Sequence, residues 1–389
     1  MPPVDAALRA TAFARKRRFI IAVDGKTLGL ALSGGGFRAT LFGLGSLWRL
    51  NDAGLLGKLD RITSVSGGSI VAGVLAHRWS QLTWDDGRAT NFVPEIADPV
   101  RAFCDKTIDI GSGLLGLITP FKTAGDFLAD RYAKSLFGKT ALKDLPDART
   151  PGNPKFIFYA TNLQTGRSFR FRQDMLADYM LGISSKTDVP LAFAVAASSA
   201  FPPVFSPIEL ETDPASWKKG GNLPNVDALR KKIVLTDGGV YDNMGLESLV
   251  DNADIVLVSD AGAPMEIEED PHGDYLRQLG RVRDILIDQT RALRKRWLIA
   301  EFEAGRKRGA YWGVGTSIES YGDATSPFKD TTLTDDLVSV PTRLARFEDE
   351  TQGRLINWGF VLCDVALRRR AKVAIPTVTE LPLPQWPLE

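Results

Sequence analysis

Three short stretches of this sequence hold residue types that can carry out acyl transfer. In Thr63-Ser64-Val65-Ser66-Gly67-Gly68 a serine sits where an apolar run passes into a small-residue stretch. A nucleophile held on a tight strand-to-helix turn needs small residues two places before and after it, here Ser64 and Gly68. A helix opening at Gly67 would aim unpaired N–H groups and its positive end at a developing oxyanion. The same Ser/Gly turn is also ordinary loop chemistry and a phosphate cradle. In Ser33-Gly34-Gly35-Gly36-Phe37-Arg38-Ala39 three glycines let backbone amides converge on an anion. As an oxyanion hole, each well-placed donor there is worth ~3–4 kcal/mol. The other readings are a tight turn or a nucleotide loop, and the spacing lacks both the G-x-G-x-x-G and the Gly-Lys-Ser/Thr patterns. Arg38 can hold a phosphate or brace the loop. Thr236-Asp237-Gly238-Gly239 puts an acid at the end of an apolar run, where sites are usually built, although Asp-Gly is also a plain turn signal.

The surrounding periodicities predict what positions these groups. Leu28–Ser33 and Arg61–Val65 read as short buried strands, each followed by a helix, the signature of a parallel sheet with covering helices. Lys155–Thr161 and Ser168–Arg172 read as strands around a Gln164-Thr165-Gly166 turn. A helix opens at Pro190, and Ile233–Thr236 and Asp254–Ser259 are further buried strands. Long helices are expected at about Tyr275–Arg306 and Asp349–Arg370. The division expected is a basic arm over 1–27 and an α/β core over 28–262. A partly helical cap is inserted at 84–153, and a helical extension over 263–389 packs on the core. All three motifs would end strands of one parallel sheet.

In that order, GGGFRA at Gly34–Ala39, the elbow at Ser64–Gly68 and DGG at Asp237–Gly239 resemble the patatin-like phospholipases. Ala196–Pro203 (AASSAFPP) and Val240–Gly245 (VYDNMG) look like the same family, so the resemblance covers roughly Leu28 to Asp260. It implies a three-layer α/β sandwich with a central, mostly parallel sheet. It also implies a Ser–Asp dyad that cleaves carboxylic esters of glycerophospholipids, or related lipid esters, through an acyl-enzyme without metal or cofactor. Ser66 would be the nucleophile and Asp237 the base, with Gly34, Gly35, Gly36 and Arg38 at the oxyanion and Gly68, Gly238 and Gly239 in support. The sequence departs from the family at Ser64, where the usual elbow has glycine.

Composition bounds the alternatives. The chain has 389 residues with a formal charge of +1, so no global field favours nucleic acid. Two cysteines, Cys104 and Cys363, make no disulfide framework, and so few Cys and His argue against structural zinc. Only two histidines exist. His77 would lie about 16 Å beyond Ser66 along one helix. His272 gives Ser66…Asp237…His272 the chain order of an α/β-hydrolase triad, but its acidic surroundings read as a solvated loop. A catalytically silent or ligand-switched binding protein of the same fold is the remaining alternative.

No apolar run reaches the ~18–20 residues of a membrane span, and Met1–Arg18 does not read as a secretory signal. A cytoplasmic protein, with peripheral membrane contact at most, is the expectation. Two segments are candidates for that contact. Ile108–Phe121 is either an interfacial loop or a buried connector. The basic helix around Arg291, Arg294, Lys295 and Arg296 either lies on an anionic membrane or packs on the core.

Overall fold

The computed structural model describes residues 26–108, 123–221, 223–262, 265 and 267–389; nearly all of the basic arm and of Ile108–Phe121 lies outside them. Apart from a small hairpin of Trp84–Asp85 and Arg88–Ala89, the strands are β1 Leu28–Leu32, β2 Arg61–Val65, β3 Lys155–Asn162, β4 Arg167–Arg172, β5 Leu176–Asp178, β6 Gly182–Ser184, β7 Ile208–Glu211, β8 Trp217–Lys218, β9 Lys232–Asp237, β10 Ile255–Asp260 and β11 Arg308–Gly313. They form one sheet in the order β8-β6-β5-β4-β3-β2-β1-β10-β11, with β9 bridging β3 and β7. The central strands β3, β2, β1, β10 and β11 are parallel, and the remaining pairings are antiparallel.

The principal helices are α1 Gly36–Asp52, α2 Gly67–Arg78, α3 Asp98–Cys104, α4 Ala124–Tyr132, α5 Leu191–Ser198, α6 Tyr275–Glu303 and α7 Asp349–Arg369. Alternation along the strands creates three layers. Leu30, Leu32 and Leu257 face the large core filled by α1 and α7. Ala31, Val256 and Val258 face Met244, Leu246, Leu249 and Leu298 on the other side. α1 and α7 approach backbone to backbone at Gly45 and Gly359. A Cβ on Gly45 would fall 1.9 Å from the Ile356 carbonyl, and one on Gly359 2.1 Å from that of Phe42. Val100 and Phe103 of α3, with Leu128 and Tyr132 of α4, join this same core.

Two expectations are corrected. The 263–389 extension is not only helical, because β11 extends the sheet beside β10. The strand that carries Asp237 is not one of the parallel set. On β3, residues Ile157–Asn162 pair with β4 along one edge and Lys155–Tyr159 pair with β2 along the other. β9 pairs antiparallel with Ala160–Asn162, so it must take the β2 edge, beyond the end of β2. β2 and β9 thus share one lane and meet head-on. Val65 is opposite Tyr159 and Asp237 is opposite Ala160, the next residue.

Helix α6 packs on the core, but with its charged side turned inward rather than to solvent. Arg291 pairs with Asp260 and Asp288, Arg294 with Asp242, and the Lys295 ammonium lies over the Tyr311 ring. The charged side therefore faces the protein. Leu279, Val282, Leu286, Leu293 and Trp297, spaced as one helical stripe, are exposed.

Candidate active site

Ser66 stands in the joint of that shared lane. It has φ 51° and ψ −122°, a left-handed conformation that costs a non-glycine residue energy. Close packing of the two helix openings holds it there. A Cβ on Gly68 would sit 2.4 Å from the Leu32 carbonyl oxygen, and one on Gly67 1.9 Å from that of Gly36. The Ser66 amide donates to both the carbonyl (3.1 Å) and the hydroxyl (3.0 Å) of Ser198, at the C-terminal end of α5. The Ser198 hydroxyl bonds the Ser69 hydroxyl at 2.8 Å, and Ser69 donates to the Ser64 hydroxyl at 2.9 Å. Ser64 is therefore accommodated in place of glycine, because its buried hydroxyl is partnered.

The glycine loop wraps the other side. Gly35 (φ 139°) and Gly36 (φ 55°) adopt backbone conformations open to glycine and turn the chain into α1. Among the described residues, the amides of Gly35, Gly36 and Gly67 have no acceptor, whereas Phe37 donates to Arg343 and Gly68 to Ser33. One role implied by the resemblance changes here, and Arg38 takes the bracing contacts that were one of its two readings. The Gly34 amide is already used, donating to the Asn243 carbonyl at 2.9 Å, so this glycine serves by its small size. A Cβ on it would come within 3.1 Å of the Ser66 Cβ and collide with the Asn243 side chain. Arg38 is buried and donates to the carbonyls of Ala261, Val338 and Val340. It braces the loop through backbone oxygens, and burial pushes its pKa down to about 10.

Asp237 is 1% exposed. Its Oδ1 accepts the Gly239 amide at 2.6 Å; its Oδ2 is buried and has no hydrogen-bond partner among the described residues. Burial raises its pKa to about 7, opposed by the Gly239 amide and by the Ser66 hydroxyl, which lies near enough to stabilise the carboxylate. A carboxyl group poised there, with a free lone pair beside a hydroxyl, can take a proton at neutral pH. Gly238 and Gly239 permit the approach, since a Cβ on either would strike the Tyr159 carbonyl (2.4 Å) or the Asn243 amide oxygen (2.6 Å).

Ser66, Asp237 and the Gly34–Gly36 loop line one cavity of about 890 Å³. Half-exposed Val204 and Phe201 also line it, as do the charged side of α6 and the segment 338–344. Sequence reasoning missed Ser198 and Asn243, although both fall in the AASSAFPP and VYDNMG stretches. Nothing in the sequence marked 338–344. Neither histidine lines the cavity. His77 bonds Thr140 at 3.0 Å, and His272 is exposed against Arg277. Cys104 and Cys363 are buried free thiols. Among the described residues no helix is long and apolar enough to cross a membrane.

Fold and site together define an α/β protein in which a serine with a strained backbone lies beside a buried carboxyl group. A family model described as patatin-like phospholipase matches residues 30–250, and the chain belongs to that family. No curated protein sequence matches the chain. Among solved structures, human GIVD cytosolic phospholipase A2 is similar with a TM-score of 0.51 at 13% identity, over 88% of this chain and 59% of that one. The same human enzyme in complex with methyl gamma-linolenyl fluorophosphonate gives 0.49 at 13% identity, over 89% and 58%. VipD from Legionella pneumophila gives 0.40 at 16% identity, over 88% and 67%. The chain thus spans about three fifths of the human enzyme's length.

Proposed function

We propose that the protein is a lipid acyl hydrolase that cleaves carboxylic esters of glycerophospholipids through a Ser66–Asp237 dyad. The observation that carries this reading is the buried Asp237 carboxyl group, its pKa raised to about 7 and one oxygen unpartnered, beside a serine on a strained elbow. Asp237 takes the Ser66 proton as Oγ bonds to the ester carbonyl carbon. The oxyanion accepts hydrogen bonds from the free Gly35, Gly36 and Gly67 amides at the openings of α1 and α2. Asp237 then returns the proton to the departing alcohol, leaving an acyl-serine. Water, deprotonated by the same carboxylate, releases the fatty acid. Membership in the patatin-like phospholipase family supports the same chemistry.

A lipid surface is the partner that suits the exposed stripe of α6. The opposite side of this helix walls the cavity, and Arg283 ties it to exposed Phe201 at the cavity edge, its guanidinium 4.8 Å from the ring. Phe201 and Val204 thus place exposed apolar side chains at the cavity edge, where an acyl chain must enter. Incubation with mixed phospholipid vesicles and mass spectrometry of the products tests the function. Free fatty acid and lysophospholipid are expected from the native chain and neither from Ser66→Ala. Unchanged release by that variant would refute the reading.

A further inference from the structure

A second cavity, of about 400 Å³, is built from the C-terminal half of α6, β11 and the chain at the end of α7. It lies within the usual size of small-molecule sites. Four cations line it, Lys295, Arg369, Arg370 and Lys372, against one carboxylate, Glu303. The aromatic rings of Phe302, Tyr311 and Tyr321 supply its apolar wall.

Among the described residues no salt bridge joins any of these four cations to a carboxylate, so their net positive charge is not neutralised within the cavity. The Lys295 ammonium lies 4.7 Å from the Tyr311 ring centroid, and among the described residues no oxygen accepts from it. Asp260 acts on it only at a distance, because that carboxylate is occupied by Tyr311, Arg291 and the Gly262 amide. Arg369 and Arg370 each commit one nitrogen to a carbonyl, of Gly322 and Ser320. The Arg370 guanidinium also lies 5.7 Å from the Tyr321 ring centroid. Lys372 has φ 55°, rare for a side chain of its kind, and its ammonium has no acceptor among the described residues. Cations at a helix C-terminus answer the dipole of α7, and Arg368 does so while paired with Asp364 and Asp323. That explanation does not reach Lys295, on another helix, or Lys372, beyond the helix end.

We propose that this cavity is a binding site for a small molecule carrying phosphate groups, held by two ammonium and two guanidinium groups. Arginine forks and point-charge lysines suit phosphate oxygens, and the aromatic wall suits the rest of such a ligand. The site is independent of the hydrolase reading, so either can fail alone.

Calorimetric titration of the full chain with inorganic pyrophosphate tests it. Saturable binding at one site is expected, with the dissociation constant raised at least tenfold by Lys372→Glu and by Lys295→Met. Lys372 and Arg370 are exposed, so Lys372→Glu and Arg370→Gln carry the test if the half-buried Lys295 variant fails to fold. Absence of saturable binding at millimolar pyrophosphate would overturn the proposal. So would unchanged affinity in Lys372→Glu, which would assign the anion to the first cavity.

Discussion

The amides of Ser66 and Gly238 donate to the same oxygen, the Ser198 carbonyl, each at 3.1 Å. One atom at the end of α5 therefore joins the candidate nucleophile to the residue after the candidate base. This clamp is needed because β2 and β9 arrive from opposite directions along one edge of β3, with no ladder of their own to fix the gap.

Removing the hydroxyl of the clamping residue should loosen the elbow without touching substrate. Ser198→Ala leaves the Ser69 hydroxyl and the Ser66 amide each short of a partner, at a cost of about 1–3 kcal/mol in stability. A fall of about tenfold in kcat with little change in KM is expected from steady-state kinetics. An unchanged kcat would show that the clamp does not position the serine.

Asp237 must lose its proton to act as base, so kcat/KM should rise with pH through about 7 and level off above it. Asp237→Asn should abolish hydrolysis at every pH.

The same carboxyl group should make the fold less stable as pH rises. Below the unfolded pKa of about 4 both states hold the proton, and between about 4 and 7 only the folded state does. Stability should therefore decline across that window, and the charged, buried group remains a burden above it. Asp237→Asn should raise Tm relative to the native chain at pH 8, with the difference vanishing near pH 4.

A dyad makes histidine dispensable. His272→Ala should keep most of the esterase activity, since the ring is exposed against Arg277 and outside the cavity. Loss of activity in that variant would instead support a Ser66–Asp237–His272 triad.

If α6 meets a lipid surface through its apolar stripe, Leu286→Glu with Leu293→Glu should weaken sedimentation with phospholipid vesicles and slow hydrolysis of vesicle lipid. Turnover of a soluble short-chain ester should stay within about twofold. Equal loss on both substrates would mean that the stripe only supports the fold.

The three motifs were legible in the sequence because each is local: a strand end, a turn and small residues at fixed offsets. The direction of the strand carrying Asp237 was not, since the antiparallel entry of β9 depends on which edge of β3 is left open beyond β2. The partners of Arg38 were hidden for a similar reason. Its acceptors at Ala261, Val338 and Val340 are carbonyls more than two hundred residues away, invisible to side-chain pattern. The direction of α6 escaped sequence reasoning because Arg291 and Arg294 on its charged side pair with Asp260 and Asp242, so polarity no longer marks the solvent face.

The most direct measurement is labelling of the native chain with a fluorophosphonate probe, followed by mass-spectrometric mapping of the modified residue. The account predicts a single adduct on Ser66, lost in Ser66→Ala and strongly reduced in Asp237→Asn at pH 8. An adduct on another residue, or labelling of Ser66 that is indifferent to Asp237, would contradict it.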